Sequence, residues 1–387
     1  MRIDHVVPHY YPDVGGVETH VGRLSEYLVA HGHEVVVHTS RVSSAGRVLA
    51  KSETVGGVAV RRYAPVFRLG YYATLFRPRI EAADVVHLHG YAHLSNDWTA
   101  RKVHDRFPIA LSLHHGVAQP APSRRSRMER GIYDPLFGRR SLALADAIIA
   151  ASEADLRWLE ARGHRASLVQ VIPTGLEAAA YLPGNPERAR RAFGLGRYVL
   201  FLGRLHQEKS IDDLVRAFAG LGSSDVSVVL VGPDAGAKRG ILDLAMRLGM
   251  ANRIKTVGEV DPVAKRDLLA GCEALVLPSF YEAQGIVLLE AWAQSRPVVA
   301  SAVGGVPFLV SHGRDGLLYP HGDTVALASH IRQLLDDPSA ALRMGVAGRE
   351  KAKGYALDRL APRFLEVYDR LRALGARRPQ VSGGPTR

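Results

Sequence analysis

The chain has 387 residues, 47% hydrophobic and 23% charged, a globular balance in a length that calls for two domains rather than one core. Lysine and arginine total 50 against 38 acids, leaving +12, an excess that favours anionic partners. The single cysteine, Cys272, excludes an intrachain disulfide, and no apolar run reaches the ~18–20 residues of a membrane span.

The first stretch, "MRIDHVVPHYYP", has one basic residue and no long apolar segment. It reads as a strand, not a signal peptide. With a lone thiol this points to a cytoplasmic protein. Further short apolar runs follow: "EVVVHT", "DVVHLH", "PIALSLHH", "DAIIAAS" and "LVQVIP". They are solid rather than alternating, as in strands buried on both faces of a parallel sheet. Amphipathic segments at Val17 to His31, Ser95 to Arg106 and Glu153 to Arg162 separate them, giving a βα repeat. From Pro173 to Pro186 the chain is rich in Pro and Gly, the composition of a linker. A second series then runs through "YVLFLG", "VSVVLVG", "RIKTVG", "EALVLP" and "RPVVAS". A helical stretch from Leu357 to Leu374 precedes a Gly/Pro/basic tail expected to be disordered. The reading is α/β, with two Rossmann-like, doubly wound parallel-sheet domains facing a cleft and no sequence repeat between them. The boundaries are 1–180, 181–355, a helix over 356–378 and a tail over 379–387.

Open α/β sheets bind ligands beyond the carboxyl ends of their strands, so the segments after each run carry the functional reading. After the first comes "PHYYPDVGGVETHV", with Gly15 and Gly16 before a helix start. Such a pair serves a tight turn or lets an anion approach helix N–H groups. It is not a G-x-G-x-x-G fingerprint. After "YVLFLG" come Gly203, Arg204, Lys209 and Ser210. The spacing nearly spells a P-loop, but Glu208 stands where the second glycine is needed. Arg204 and Lys209 suit either surface ion pairs or a diphosphate. After "EALVLP" comes "YEAQG", then a helix expected from about Ile286 to Gln294. Glu282 lies in the loop and Glu290 one turn into the helix, too far along it for a shared-proton dyad. The N–H groups of Gly285, Ile286 and Val287 suit a phosphate. Gly304 and Gly305 precede another helix start at Val306–Pro307, a second place for a phosphate or a sugar edge to approach.

His87, His89 and His93 near one strand end are a candidate metal cluster lacking a recognisable ligand spacing, and His114 and His115 end another strand. Cys272 precedes an apolar run and reads as a buried, inert thiol. Arg124, Arg125, Arg127, Arg130, Arg139 and Arg140 interleave with Met128, Ile132, Tyr133, Leu136 and Phe137. That pattern suits an amphipathic surface segment or a solvated basic face. Its aromatics are too few to stack single-stranded nucleic acid.

Together these residues resemble the retaining glycosyltransferases of family 4, of GT-B fold. The resemblance runs from "YYPDVGGVETHV" to "LAPRFLEVYDRL". Its most specific piece is an E-x7-E element, Glu282 and Glu290. "LGRLHQEKSIDDLVRAF", "VIPTGLE" and "DGLLYPHGD" are further matches. The resemblance implies that the second domain holds a nucleoside diphosphate hexose, UDP- or GDP-linked. Arg204 and Lys209 would neutralise the diphosphate in place of a metal, with no cofactor. Glu290 would take the ribose hydroxyls. Glu282 would take the sugar's, and with His115, matching the family's "HG", forms the catalytic pair. Gln284, Gly285, Ile286 and Val287 would line the donor site, and Gly16 would close it from the first domain. The last helix would cross back to that domain. The acceptor would be a glycan, a lipid-linked sugar or a small molecule. The basic segment suggests an anionic membrane face, and nucleic acid is not expected. Gln284 stands where the family usually has Phe, and Thr174 and Glu177 stand where Asn and Asp are commoner. A P-loop-like NTPase and a non-catalytic nucleotide-sugar or glycan-binding module are the competing readings.

Overall fold

A computed structural model describes residues 1–13, 15–69, 73–114, 133–164, 168–221 and 225–375. The apolar runs become strands in two separate units. One comprises Met1–Gly175 with the chain from Leu357 onward, the other Leu176–Ala356.

In the first unit the strands are β1 (Arg2–Val6), β2 (Glu34–Ser40), β3 (Ser52–Val55), β4 (Val58–Tyr63), β5 (Phe67–Leu69), β6 (Ala73–Leu75), β7 (Val85–His89), β8 (Ile109–Ser112), β9 (Ala147–Ala150) and β10 (Leu168–Val171). Eight form one sheet in the order β10-β9-β8-β7-β1-β2-β4-β3, parallel except for β3, while β5 and β6 pair by themselves. Successive side chains of a strand face opposite ways, and both faces are covered. Ile3, Val7, Val35, Val37 and Val85 enter one apolar cluster; Val6, Val86, Leu88 and Leu111 enter the other. The Gly16–Ala30 helix and the Leu357–Gly375 helix cover the first of these faces, through Val21, Leu24, Phe364, Val367 and Leu371.

The second unit holds β11 (Arg197–Leu202), β12 (Val226–Val231), β13 (Ile254–Gly258), β14 (Ala274–Leu277), β15 (Val298–Ser301) and β16 (Leu317–Tyr319). Their order is β13-β12-β11-β14-β15-β16, all parallel. Within the unit this is the order 3-2-1-4-5-6 of a dinucleotide-type doubly wound sheet. Val199 and Phe201 face one cluster, Tyr198 and Leu200 the other, which is why these runs are apolar at every position. The sequence reading overlooked the β3–β4 hairpin, the β5–β6 pair and β16.

Candidate active site

The second sheet reverses direction between β11 and β14, the place where such sheets leave a crevice at the strand ends. The segments after these strands carry Arg204, Lys209 and Glu282, and they touch. The Phe280 N–H donates to the Glu208 carbonyl at 2.9 Å. Lys209 Nζ lies 2.5 Å from Glu282 Oε1, and the Ser279 hydroxyl donates to the same oxygen at 2.7 Å.

The loop after β11 is not a phosphate nest. Most of its N–H groups are already spent on protein acceptors: Leu205 on Pro233, His206 on Arg204, Lys209 on His206 and Ser210 on Gln207. The Glu208 N–H meets His206 Nδ1. A P-loop needs such groups aimed at phosphate, so the NTPase reading loses its structural basis. What the loop offers an anion is side-chain charge. Arg204 is exposed and has no ion-pair partner among the described residues. A Cβ on Gly232 would meet the Gly203 carbonyl at 2.1 Å. Backbone thus packs on backbone where the loops after β11 and β12 meet.

Glu282 is fixed through its main chain as well. Its carbonyl accepts the Gly305 N–H at 2.9 Å. A Cβ on Gly304, whose φ is +54°, would lie 2.0 Å from that carbonyl. The Gly304–Gly305 pair, read from sequence as an approach for phosphate or sugar, admits the backbone of the Glu282 loop. Gly285 takes φ +81° as it enters the Ile286–Ala293 helix, and no side chain caps that helix start. The partial positive charge of the first turn, at Gly285, Ile286 and Val287, is therefore not met by a capping side chain. Gln284 is buried just before it.

Glu290 is 8% exposed, and Lys265 Nζ lies 2.6 Å from its Oε1. The sequence reading missed Lys265. It belongs to the Pro262–Gly271 helix, whose entry is set by Pro262 at the first position and by Asp261, which accepts from the Val263 and Ala264 N–H groups. The two glutamates are thus independent, each with its own ammonium. Together with Arg204 the arrangement supplies three cations, two carboxylates and an uncapped helix start near neighbouring strand ends.

In the first unit, Gly16 opens its helix, and the buried Glu18 folds back so that a Cβ on Gly15 would meet its carboxylate at 2.3 Å. His115 and Arg124, Arg125, Arg127 and Arg130 lie outside the described residues; Arg139 and Arg140 are exposed. His87 and His89 do come together, but with His5 instead of His93. His93 precedes the Leu94–Val103 helix and lies over Gly90. His5 Nδ1 is 2.7 Å from His89 Nε2, and His89 Nδ1 is 2.8 Å from His114 Nε2. Burial and neighbouring imidazoles push His5 down to about 3, and both His87 and His89 well below the usual histidine range. Burial and Arg23 lower His20 to about 4. All four are neutral near pH 7. Cys272 is fully buried with its thiol pushed up to about 12, an inert group as expected. No helix among the described residues is long and apolar enough to cross a membrane.

Comparison with known proteins bears on the family and the fold. The family description "Glycosyltransferase Family 4" matches residues 14–179, and "Glycosyl transferases group 1" matches residues 196–337. The D-inositol 3-phosphate glycosyltransferase of Nocardioides sp. is 30% identical, over 93% of this chain and 86% of that protein. Sucrose-phosphate synthase from Thermosynechococcus elongatus superposes with a TM-score of 0.78 at 24% identity, over 96% of this chain and 99% of that one. Anabaena HepE, solved in complex with UDP-glucose, superposes with a TM-score of 0.76 at 21% identity, over 96% of this chain and 100% of that one. Two parallel-sheet units, the paired glutamates after β14 and the matches over both units place the chain in one family: it belongs to the family 4 glycosyltransferases and has the GT-B fold.

Proposed function

We propose that this glycosyltransferase moves a hexose, with retention, from a nucleoside diphosphate sugar to a hydroxyl acceptor. The observation that carries the donor is the pair of lysine–glutamate contacts, Lys209–Glu282 and Lys265–Glu290, beside the β11–β14 reversal. Lys209 and Arg204 face the diphosphate together with the Ile286 helix start. Glu290 accepts from the ribose and Glu282 from the sugar. Lys209 has three N–H donors, so it holds Glu282 and a phosphate oxygen at once. Gln284 completes the sugar's surroundings within the second unit. UDP is the favoured carrier and GDP the second choice; HepE's complex with UDP-glucose points the same way.

In the reaction the bond from the anomeric carbon to the phosphate oxygen breaks, and a bond from that carbon to the acceptor oxygen forms on the same face. The acceptor's proton passes to the leaving phosphate oxygen. Negative charge grows on the diphosphate, where fixed cations and N–H dipoles act most strongly. No metal or cofactor is assigned a step. Several relatives are named for D-inositol 3-phosphate, so a phosphorylated polyol leads the acceptor candidates, ahead of a lipid-linked or glycan acceptor at an anionic membrane face. The test is release of nucleoside diphosphate from a panel of UDP- and GDP-sugars, with and without inositol 3-phosphate. Acceptor-dependent release with an α-to-α or β-to-β outcome supports the reading. No release or hydrolysis with any donor sinks it.

A further inference from the structure

We propose that His5, His87 and His89 form a binding site for one borderline first-row divalent cation, zinc foremost, inside the first unit. It shares no residue with the groups assigned to the diphosphate. Strand register makes it. β1 and β7 are parallel neighbours with His5 directly opposite His87, and His89 lies two residues on, hence on the same face. One ring nitrogen from each lies within 4.8 Å of the others, and all three residues are fully buried.

Two features point to a bound ion rather than a plain packing of rings. First, the protons are poorly accommodated. His5 and His89 turn nitrogens toward each other at 2.7 Å, and His5 Nε2 is buried without a partner among the described residues. Buried polar atoms of this kind are rare in native proteins. Second, the outer partners are those of a metal site. His89 Nδ1 reaches His114 at 2.8 Å, and His87 has the Tyr368 hydroxyl at 2.7 Å from Nδ1 and the Ser112 hydroxyl at 2.8 Å from Nε2. Metal-bound imidazoles nearly always donate their other N–H in this way. A hydroxyl both donates and accepts, so either nitrogen of His87 can be released as a lone pair while the other stays held.

The spacing decides feasibility. A tetrahedral ion with nitrogens at ~2.0–2.1 Å sets them ~3.3 Å apart. That value lies between the 2.7 Å His5–His89 contact and the 4.8 Å limit of the trio. Ring rotation is enough, with the strands unmoved; the proton between His5 and His89 moves to the outer nitrogen of the ring that carried it, so each ring stays neutral and turns one lone pair to the ion. His20, whose buried Nε2 also lacks a partner, or a water takes the fourth position. An all-imidazole set selects zinc, copper, nickel or cobalt over magnesium and calcium, which take oxygen. The ion would tie β1 and β7 to the C-terminal helix through Tyr368.

The test uses the full chain, stripped with chelator, loaded with zinc and desalted, with a parallel titration by cobalt(II). The expected results are one retained zinc, tetrahedral cobalt absorption bands, a raised Tm and an X-ray absorption shell of imidazole nitrogen at ~2.0 Å. His89→Gln and His87→Gln abolish retention, His312→Ala leaves it intact, and one of Tyr368→Phe and Ser112→Ala, whichever removes the hydroxyl on the His87 nitrogen not on the ion, weakens affinity ~10–100-fold. A wild type that retains no zinc and gives no cobalt bands overturns the proposal, as does retention undiminished in His89→Gln. If the buried variants do not fold, Tyr368→Phe, Ser112→Ala and the wild-type absorption spectrum decide. An oxygen-rich or sulfur shell, or unchanged affinity in both Tyr368→Phe and Ser112→Ala, then refutes it.

Discussion

Lys209→Met keeps the length and apolar stem of the side chain and deletes its charge. Lys209 Nζ is 2.5 Å from Glu282 Oε1, and the two side chains are 22% and 15% exposed. The pair is neither open to solvent, where such contacts are worth ~0–1 kcal/mol, nor fully buried, where removing one partner costs ~3–5 kcal/mol. The Ser279 hydroxyl also remains on Glu282. A stability loss of ~1–2 kcal/mol follows, read by urea titration as a lower midpoint with an unchanged slope. Under the proposed function the effect on chemistry is larger, because the ammonium would also meet charge that grows as the diphosphate leaves. Deleting one such group lowers transfer ~10²–10³-fold. The assay is the initial rate of nucleotide release at saturating acceptor, for the wild type, Lys209→Met, Glu282→Gln and the double variant. Residues acting on one ligand couple by ~0.5–3 kcal/mol. Transfer by Lys209→Met within about twofold of wild type, below ~0.5 kcal/mol in barrier, would refute the reasoning.

Lys265→Met leaves the Glu290 carboxylate mostly buried beside an apolar chain; it should cost ~1–3 kcal/mol in stability and weaken nucleotide binding, both read by titration. Gly304→Ala sets a Cβ 2.0 Å from the Glu282 carbonyl at φ +54°; a loss of ~1–3 kcal/mol and a fall in transfer are expected. The control Gly322→Ala also has positive φ, +83°, but nothing within 4 Å of its Cβ, so it should cost only the ~1–2 kcal/mol of the backbone conformation and leave transfer intact. Native Cys272 should resist iodoacetamide at pH 8, since its thiol is buried and pushed up to about 12. Above the ordinary thiol value of 9.0 the unfolded chain loses this proton while the native one keeps it. Stability therefore falls by ~1.4 kcal/mol per pH unit from this group until the native thiol ionises. Stability flat in pH, with Cys272 the only variable, would contradict that burial.

The two sheets were legible because parallel strands covered on both faces are apolar at every position, and "YVLFL" or "ALVL" has no other comfortable setting. The β3–β4 hairpin escaped because an edge pair is half exposed: Ser52, Glu53 and Thr54 are polar and solvent-facing. β16 escaped because three residues between Gly316 and Pro320 carry no period. In the site, Glu282, Glu290 and Lys209 stood out by position relative to strands. Lys265 did not, because its partner lies 25 residues on and only the packing of two helices joins them. The histidine trio was half legible: His87 and His89 share a strand, whereas His5 reaches His89 across 84 residues through strand pairing. Gly304 and Gly305 were noticed for the right physical reason, close approach, but what approaches is the protein's own backbone.

Isothermal titration of UDP into the wild type and Glu290→Gln tests the central claim, that the nucleotide is held in the second unit by the groups after β11 and β14. The account predicts measurable one-to-one binding that weakens at least ~tenfold in the variant, a loss of ~1.4 kcal/mol. Equal affinity in the two proteins, with both folded, would contradict it.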